Sequence, residues 1–280
     1  MDVPSDHCTA LVRETDKERY WASLYAAADR RAALCALYAF NLELAAVRER
    51  AREPIAGEIR LQWWREVLQG ERSSEAAAHP IAAALTISLQ ENSLSAAPLL
   101  GLIEARSFDL YDDPMPSVAA FEAYASATAG AIFVTAARIL GVETPDELGR
   151  HAGLAQGYAN ILNGLPHHAV RGQLYIPGEI LDRYGVDRAD IFTGKATFEL
   201  RAALAEMRLH ARRHLAAADV LRPSLSQDVL PAFLPAALIR PTLARMEGQG
   251  YEPFAPGELP LWRRQWLIWR AARDPRRIFG

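Results

Sequence analysis

The sequence predicts an all-α fold. Apolar residues recur at three- and four-residue spacing over most of the 280 residues, Val/Ile/Thr runs are few, and no strand–Gly–strand pattern appears, so the period is that of a helix. Half of the residues are hydrophobic, enough for a full core. Neither an internal repeat nor a linker separates two cores, so one domain over residues 1–280 is expected, with 259–280 as a basic, Trp-rich C-terminal segment.

Taken in order, residues 16–30 and 31–52 read as one or two helices that end before Pro54, because a proline pushes the residue before it out of the α region. A helix over about 55–69 carries Ile59, Leu61, Trp63, Trp64, Val67 and Leu68. The stretch GERSSEAAAHP (70–80) reads as a loop leading into a helix from Pro80 to about Glu91, and Pro98 opens another to about Leu110. DDPMP (112–116) breaks the chain before a long apolar helix from Val118 to Leu140. The helix over 145–163 has Thr144 as its cap and Pro145 and Glu147 in its first turn. GLPHHAVRGQLYIPGE (164–179) is expected to leave the helix, being rich in Gly, Pro and His. Helices resume near Pro177, from Phe198 to about Asp219, over 227–247, and as an Arg/Trp helix over 259–273.

Composition narrows the function. Lys and Arg number 31 against 34 Asp and Glu, a net charge of −3, so nucleic acid is not an expected partner. Cys8 and Cys35 have neither the number nor the spacing of a disulfide frame or metal knuckle, which suits a reducing compartment. The opening MDVPSDHC, acidic and polar, resembles no signal peptide, and no apolar run is expected to reach the roughly 18 residues of a membrane span. The expectation is a soluble, cytoplasmic protein, at most attached to a membrane surface.

Three places attract chemical attention. The helix LYAFNLELAAVRERARE (37–53) bears Glu43, Arg48, Glu49, Arg50 and Arg52, which read as the solvated face of an amphipathic helix. In HAGLAQGYANILNGLPHH (151–168), Gln156, Asn160 and Asn163 fall at 4 and 3 spacing on one face, either capping and joining helices or lining a pocket. His151, His167 and His168 lack metal-ligand spacing among themselves, and Asp109, Asp112 and Asp113, followed by Pro114 and Pro116, read as a helix stop and turn.

YAFNLELAAVRE (38–49), YASATAGAIF (124–133), AQGYANILNGLPHHAVRGQLYIP (155–177) and the segment from about 230 resemble, in order, the conserved blocks of squalene and phytoene synthases, with RGQLYIP the most specific. The resemblance implies an isoprenoid-synthase-like helical bundle around a central cavity. Active members join two prenyl diphosphates head to head, holding Mg²⁺ between two aspartate-rich motifs whose carboxylates lie one turn apart. Hard Mg²⁺ bridged to carboxylate oxygens binds the diphosphates and helps the leaving group depart.

By this resemblance the first motif's paired aspartates fall on Ala45 and Ala46, its last acid on Glu49 and its arginine on Leu42. The second motif's aspartates fall on Gly164 and His168, its arginine on Asn163 and its intervening acid on His167; Asn160 is kept, and the glutamine position holds Gly157 with Gln156 beside it. Ala offers no oxygen and His is a poor Mg²⁺ ligand. The expectation is a protein that keeps the fold without the chemistry, with no cofactor and no metal ligand, Mg²⁺ entering only if it is a divergent prenyltransferase. Glu49, Gln156, Asn160, Arg171 and Tyr175 are the residues that would line a prenyl site. AFNLELAAVRE with GEIRLQWWREVL (57–68) further resembles the branch of the family that contains a mitochondrial assembly factor for respiratory complex I. That implies subunits of a membrane complex, or a prenyl lipid, as partners.

The segment PLWRRQWLIWRAARDPRRIFG (260–280) holds six arginines and one aspartate, a local net of +5. Trp262, Trp266 and Trp269 share a helical face. Aromatic stripes at this spacing belong more often to cores, so the stripe is expected to pack on the domain and leave arginine in water. The other reading is a peripheral membrane contact through Trp262, Arg263, Arg264, Trp266, Trp269 and Arg270.

Overall fold

In the computed structural model, residues 3–280 are described apart from 52, 144 and 256; Thr144, the expected cap, therefore lies outside the described residues, as does Arg52. Among the described residues every regular element is helical. The chain runs through α1 (Val3–Thr15), α2 (Lys17–Ser23), α3 (Ala28–Ala45), α4 (Val47–Arg50), α5 (Pro54–Gln69), α6 (Ser73–Ala78), α7 (Pro80–Glu91), α8 (Ala97–Arg106), α9 (Val118–Ala125) and α10 (Ala131–Ile139). It continues through α11 (Asp146–Val170), α12 (Gly178–Tyr184), α13 (Arg188–Phe192), α14 (Phe198–Leu221), α15 (Leu230–Phe233), α16 (Ile239–Met246) and α17 (Leu261–Arg273).

Prolines set several starts. Pro54 and Pro80 stand in the first turns of α5 and α7, where the missing N–H costs nothing and φ is already helical. Helix α5 ends at Gly70, whose φ of 84° is left-handed and suits glycine. Asp16 caps α2 by accepting from the Arg19 N–H at 3.0 Å.

Several features depart from the sequence reading. Helix α13 has no counterpart among the expected elements, and the single helix expected over 227–247 opens with a 3₁₀ turn at Gln227–Val229 and is divided into α15 and α16 by another at Leu234–Leu238. Helix α1 precedes the first expected element; it carries Cys8 and Val12, both fully buried, against α3 and α7. A short helix, α6, forms inside the expected 70–80 loop. The run expected as one helix to Leu140 is interrupted by a π-helical turn, Ser126–Gly130. Helix α11 does not stop at 163 but passes through Gly164 and Pro166 to Val170. Leu162, Leu165 and Ala169 keep its inner face buried across the proline, and that packing outweighs the lost hydrogen bond.

Helix α11 is the axis of the domain and packs along α14, α10 and the π turn. The approach is close: a Cβ at Gly153 would stand 2.2 Å from Gly130 Cα. The run Val118–Ile139 is, contrary to expectation, long and apolar enough to cross a bilayer by length and composition, yet half of its most apolar stretch is buried in the domain, including Phe121, Ile132 and Phe133. Both cysteines are free and buried, and burial first, then Cys35, pushes the Cys8 thiol up to about 12.

Candidate functional site

A cavity of about 250 Å³ opens between the start of α2, the middle of α11, and the chain from Pro235 into α16, with Leu259 and Arg264 closing one side. Gln156, Asn160 and Asn163 line its α11 wall. The amides are partnered: Gln156 donates to Asn160 Oδ1 at 2.7 Å, and Arg245 donates to Asn163 Oδ1 at 3.0 Å. Gly157 is turned away, where a Cβ would meet the Ala125 methyl at 2.7 Å; a glutamine at 157 would have to displace α9.

Opposite the amides stands a charged wall. Arg19 donates to Asp16 at 2.7 Å and lies 5.5 Å from the Tyr38 ring centre. Burial is the largest influence and works against its charge, but Asp16, Tyr38 and Glu18 together outweigh it and hold the guanidinium above its usual range. Arg264 faces inward to Glu18 at 2.5 Å and Glu258 at 3.2 Å, so it belongs to this wall and not to the outer contact surface expected of it.

The remaining expected residues gather elsewhere. From Asn160 to His168 the helix rises about 12 Å, and at that end Glu49 Oε1 accepts from Arg171 Nη1 at 2.8 Å with His167 Nε2 at 3.6 Å. The Arg171 hydrogen bond chiefly holds the Glu49 carboxyl below the usual range. All three side chains are open to solvent at their outer ends. Ala45 ends α3 at an exposed position, and Ala46 forms the break before α4. The structure thus brings Glu49 to Arg171, and Gln156 to Asn160, but does not join the two groups in one cavity.

Beneath the Glu49 pair lies a cluster that the sequence did not disclose. Asp109, 7% exposed, accepts from Arg106 at 2.8 Å, from Tyr124 at 2.8 Å and from Tyr175 at 2.8 Å. Gln173 donates to the Asp109 carbonyl at 3.3 Å. Asp109 is therefore a buried acceptor joining three segments, not merely a helix stop; Asp112 pairs with Arg48 at 3.2 Å. Tyr175, expected at a ligand site, spends its hydroxyl on Asp109. His168 packs 4.8 Å from the Tyr175 ring, and burial first, then His167, lowers its pKa to about 4.

A second cluster was also missed. Glu206, His210 and His214 recur every four residues on α14, and His214 Nε2 lies 3.1 Å from Glu122 while its Nδ1 lies 3.0 Å from His151 Nδ1. The i, i+4, i+8 spacing was the available signal. Even so, among the described residues no group of three or more His, Cys, Asp or Glu side chains is placed to hold a metal ion.

The donor set does not fit the diphosphate-bound Mg²⁺ cluster that the resemblance implies. Positions 45, 46, 164 and 168 offer no carboxylate, and Glu49 is already held by Arg171. The cavity is also small, since ligand pockets commonly span about 300–1,000 Å³.

The aromatic stripe of α17 lies outward, against expectation: Trp262, Trp266 and Trp269 are 70%, 45% and 41% exposed. The face that packs on α2 and on Leu234–Leu238 carries Ile268 and Ala271, whose smaller side chains let the helix approach the domain.

Comparison with known proteins agrees with this architecture. Over 258 residues the chain is 28% identical to the mouse (Mus musculus) protein named NADH dehydrogenase (ubiquinone) complex I, assembly factor 6, covering 91% of this chain and 78% of that one. It superposes on a dehydrosqualene synthase solved in complex with ligand at a TM-score of 0.81, with 18% identity, 97% of this chain and 96% of that one covered. It superposes on squalene synthase HpnC from Alicyclobacillus acidocaldarius at a TM-score of 0.76, with 22% identity and coverage of 90% and 95%. At such identities these structures speak to fold alone. Residues 12–270 match the model for squalene/phytoene synthase, and the chain belongs to that family.

Proposed function

We propose that this chain is a member of the family without prenyl-transfer chemistry, and that it serves the assembly of a membrane respiratory complex of the complex I kind. The observation that carries the first half is the Glu49–Arg171 pair: the one acid kept in either motif is neutralised by a neighbouring guanidinium, while four partner positions hold Ala, Ala, Gly and His. Losing one electrostatic contact at a developing charge costs on the order of 10²–10³ in rate, and here several are missing. The second half rests on likeness to the mouse assembly factor along nine-tenths of the chain. Fold alone does not fix role.

Two measurements test this. Purified protein incubated with farnesyl diphosphate, Mg²⁺ and NADPH is expected to release no diphosphate above background; metal-dependent turnover at an enzyme-like rate would overturn the non-catalytic reading. In cells lacking the gene, assembled NADH:ubiquinone oxidoreductase should fall and be restored equally by wild type and Glu49→Gln. A full complement of the complex without the gene would overturn the assembly role.

One observation favours a second reading, a divergent head-to-head prenyltransferase or a binder of prenyl lipids: Asn160, retained from the family motif, lines the 250 Å³ cavity together with Arg19 and Arg264. Asp16, Glu18 and Glu258 share that lining and pair with the arginines, so the cavity suits an uncharged polar head and not a diphosphate. The same incubation separates turnover from binding.

A further inference from the structure

The outward face of α17 forms, with Trp21, Leu24 and Tyr25 at the end of α2, a shallow aromatic groove of about 390 Å³. Leu24, Tyr25, Trp262, Trp266 and Trp269 are all exposed there, and all of the strongly exposed tryptophans among the described residues lie on this one face. A contiguous apolar patch of this kind marks an interaction surface.

The charge around it identifies the occupant. Elsewhere on the surface many arginines meet a carboxylate, as Arg48, Arg138 and Arg212 do, while others such as Arg60 and Arg213 stand without one among the described residues, singly and not clustered on an aromatic face. Arg263, Arg270 and Arg273 have no ion pair among the described residues. Two of them stack instead on the exposed indoles, Arg270 with its Cζ 4.3 Å from the Trp266 centroid and Arg273 with its Cζ 4.2 Å from that of Trp269. The local net of +5 sits in a chain of net −3. A second copy of the same face would bring like charges together, so the groove does not suit self-association. Indole rings level with unpaired guanidinium groups match the boundary between acyl chains and anionic headgroups, where tryptophan and arginine are both favoured.

We propose that this face docks on the anionic headgroup surface of a lipid bilayer, with Trp262, Trp266, Trp269, Leu24 and Tyr25 entering the headgroup layer and Arg263, Arg270 and Arg273 meeting lipid phosphates. This goes beyond the assembly role and does not depend on it, since the surface stands outside the cavity and the motif positions.

The full chain is sedimented with vesicles of phosphatidylcholine alone and of phosphatidylcholine mixed with phosphatidylglycerol, at low and high salt. Binding is expected to the mixed vesicles, to weaken with salt, and to bring tryptophan emission to shorter wavelength with quenching by brominated acyl chains. Each arginine near an anionic surface strengthens binding about fivefold, so Arg263→Gln/Arg270→Gln/Arg273→Gln should weaken it about a hundredfold. Trp262→Ala/Trp266→Ala/Trp269→Ala should abolish the quenching, and circular dichroism and thermal melts on both variants check that they remain folded. Failure to sediment, equal binding to neutral vesicles, binding unchanged in both folded variants, or a self-associated species that the tryptophan variant dissolves would each overturn the proposal. A failure of the gene-deletion experiment leaves these outcomes untouched.

Discussion

The His168 imidazole lies over the backbone of Gly164, one turn earlier on α11, so closely that a Cβ at 164 would stand 2.7 Å from His168 Cε1. These are the two positions where active relatives are expected to present aspartates. Gly164 carries no side chain, and the His168 ring fills the space beside it. An acid placed at 164 alone would therefore meet the imidazole before it could meet a metal.

That contact predicts a change of sign. Gly164→Ala in the native background should cost about 1–2 kcal/mol, because His168 is backed by Tyr175 and must leave its packed position. In a His168→Ala background the same change should stabilise by up to about 1 kcal/mol, the ordinary gain of alanine over glycine inside a helix. Urea unfolding of the four proteins completes the cycle. Equal effects in both backgrounds would show that the ring yields freely.

His168 also sets a pH dependence. Its pKa in the folded protein is about 4, below the 6.5 of the free side chain, so between those values the unfolded chain binds the proton that the folded chain refuses. Stability is complete above about pH 6.5 and is lost as pH falls toward 4, with a slope of at most about 1.4 kcal/mol per pH unit from this group. His151, lowered chiefly by burial and then by Arg150, adds in the same direction. His168→Gln should flatten the profile between pH 6.5 and 4; urea midpoints at several pH values read it directly, and an unchanged slope would remove His168 from the account.

The Asp109 cluster should be far more sensitive than the Glu49 pair, although both are carboxylate–arginine contacts. Asp109→Asn leaves the Arg106 guanidinium buried without its counter-charge and should cost about 3–5 kcal/mol, whereas Tyr175→Phe removes one hydrogen bond and should cost about 1–3 kcal/mol. Glu49→Gln, at an exposed pair, should change stability by less than about 1 kcal/mol. Thermal melts of the three variants rank them, and a Glu49 variant as damaged as the Asp109 one would contradict the difference in burial.

How much of this was legible depends on whether the cause is local. Pro54 and Pro80 announce their helices because a proline constrains its own φ, and the Gln156–Asn160–Asn163 stripe follows from helical spacing alone. The extension of α11 past Pro166 was hidden because composition around 164–168 speaks for a loop, while the deciding contacts of Leu165 and Ala169 come from distant segments. Asp109 was hidden for the same reason: Tyr175 is 66 residues away in sequence, and nothing beside Asp109 reports it. For α17 the spacing of the tryptophans was plain. Which face would turn inward was not, because Ile268 and Ala271 make an equally regular but smaller stripe.

Among the described glycines, Gly153 is the one whose added Cβ would come nearest to main-chain atoms. At Gly153 a Cβ would stand 2.2 Å from Gly130 Cα, 2.3 Å from Gly130 N and 2.9 Å from the Ala129 carbonyl carbon. All three are main-chain atoms of the π turn, so no side-chain rotation can relieve the clash, in contrast to Gly164. Relief requires α11 to move away from the π turn, and with it the wall that carries Gln156, Asn160 and Asn163. Gly153→Ala should therefore cost more than about 3 kcal/mol despite alanine's better helix propensity, whereas Gly101→Ala, with nothing within 4 Å of the added Cβ, should be neutral or stabilising. Denaturant midpoints of the two variants decide it. A Gly153 variant as stable as wild type would mean that the helices do not approach at this distance, and that the glycine is not what seats α11 in the core.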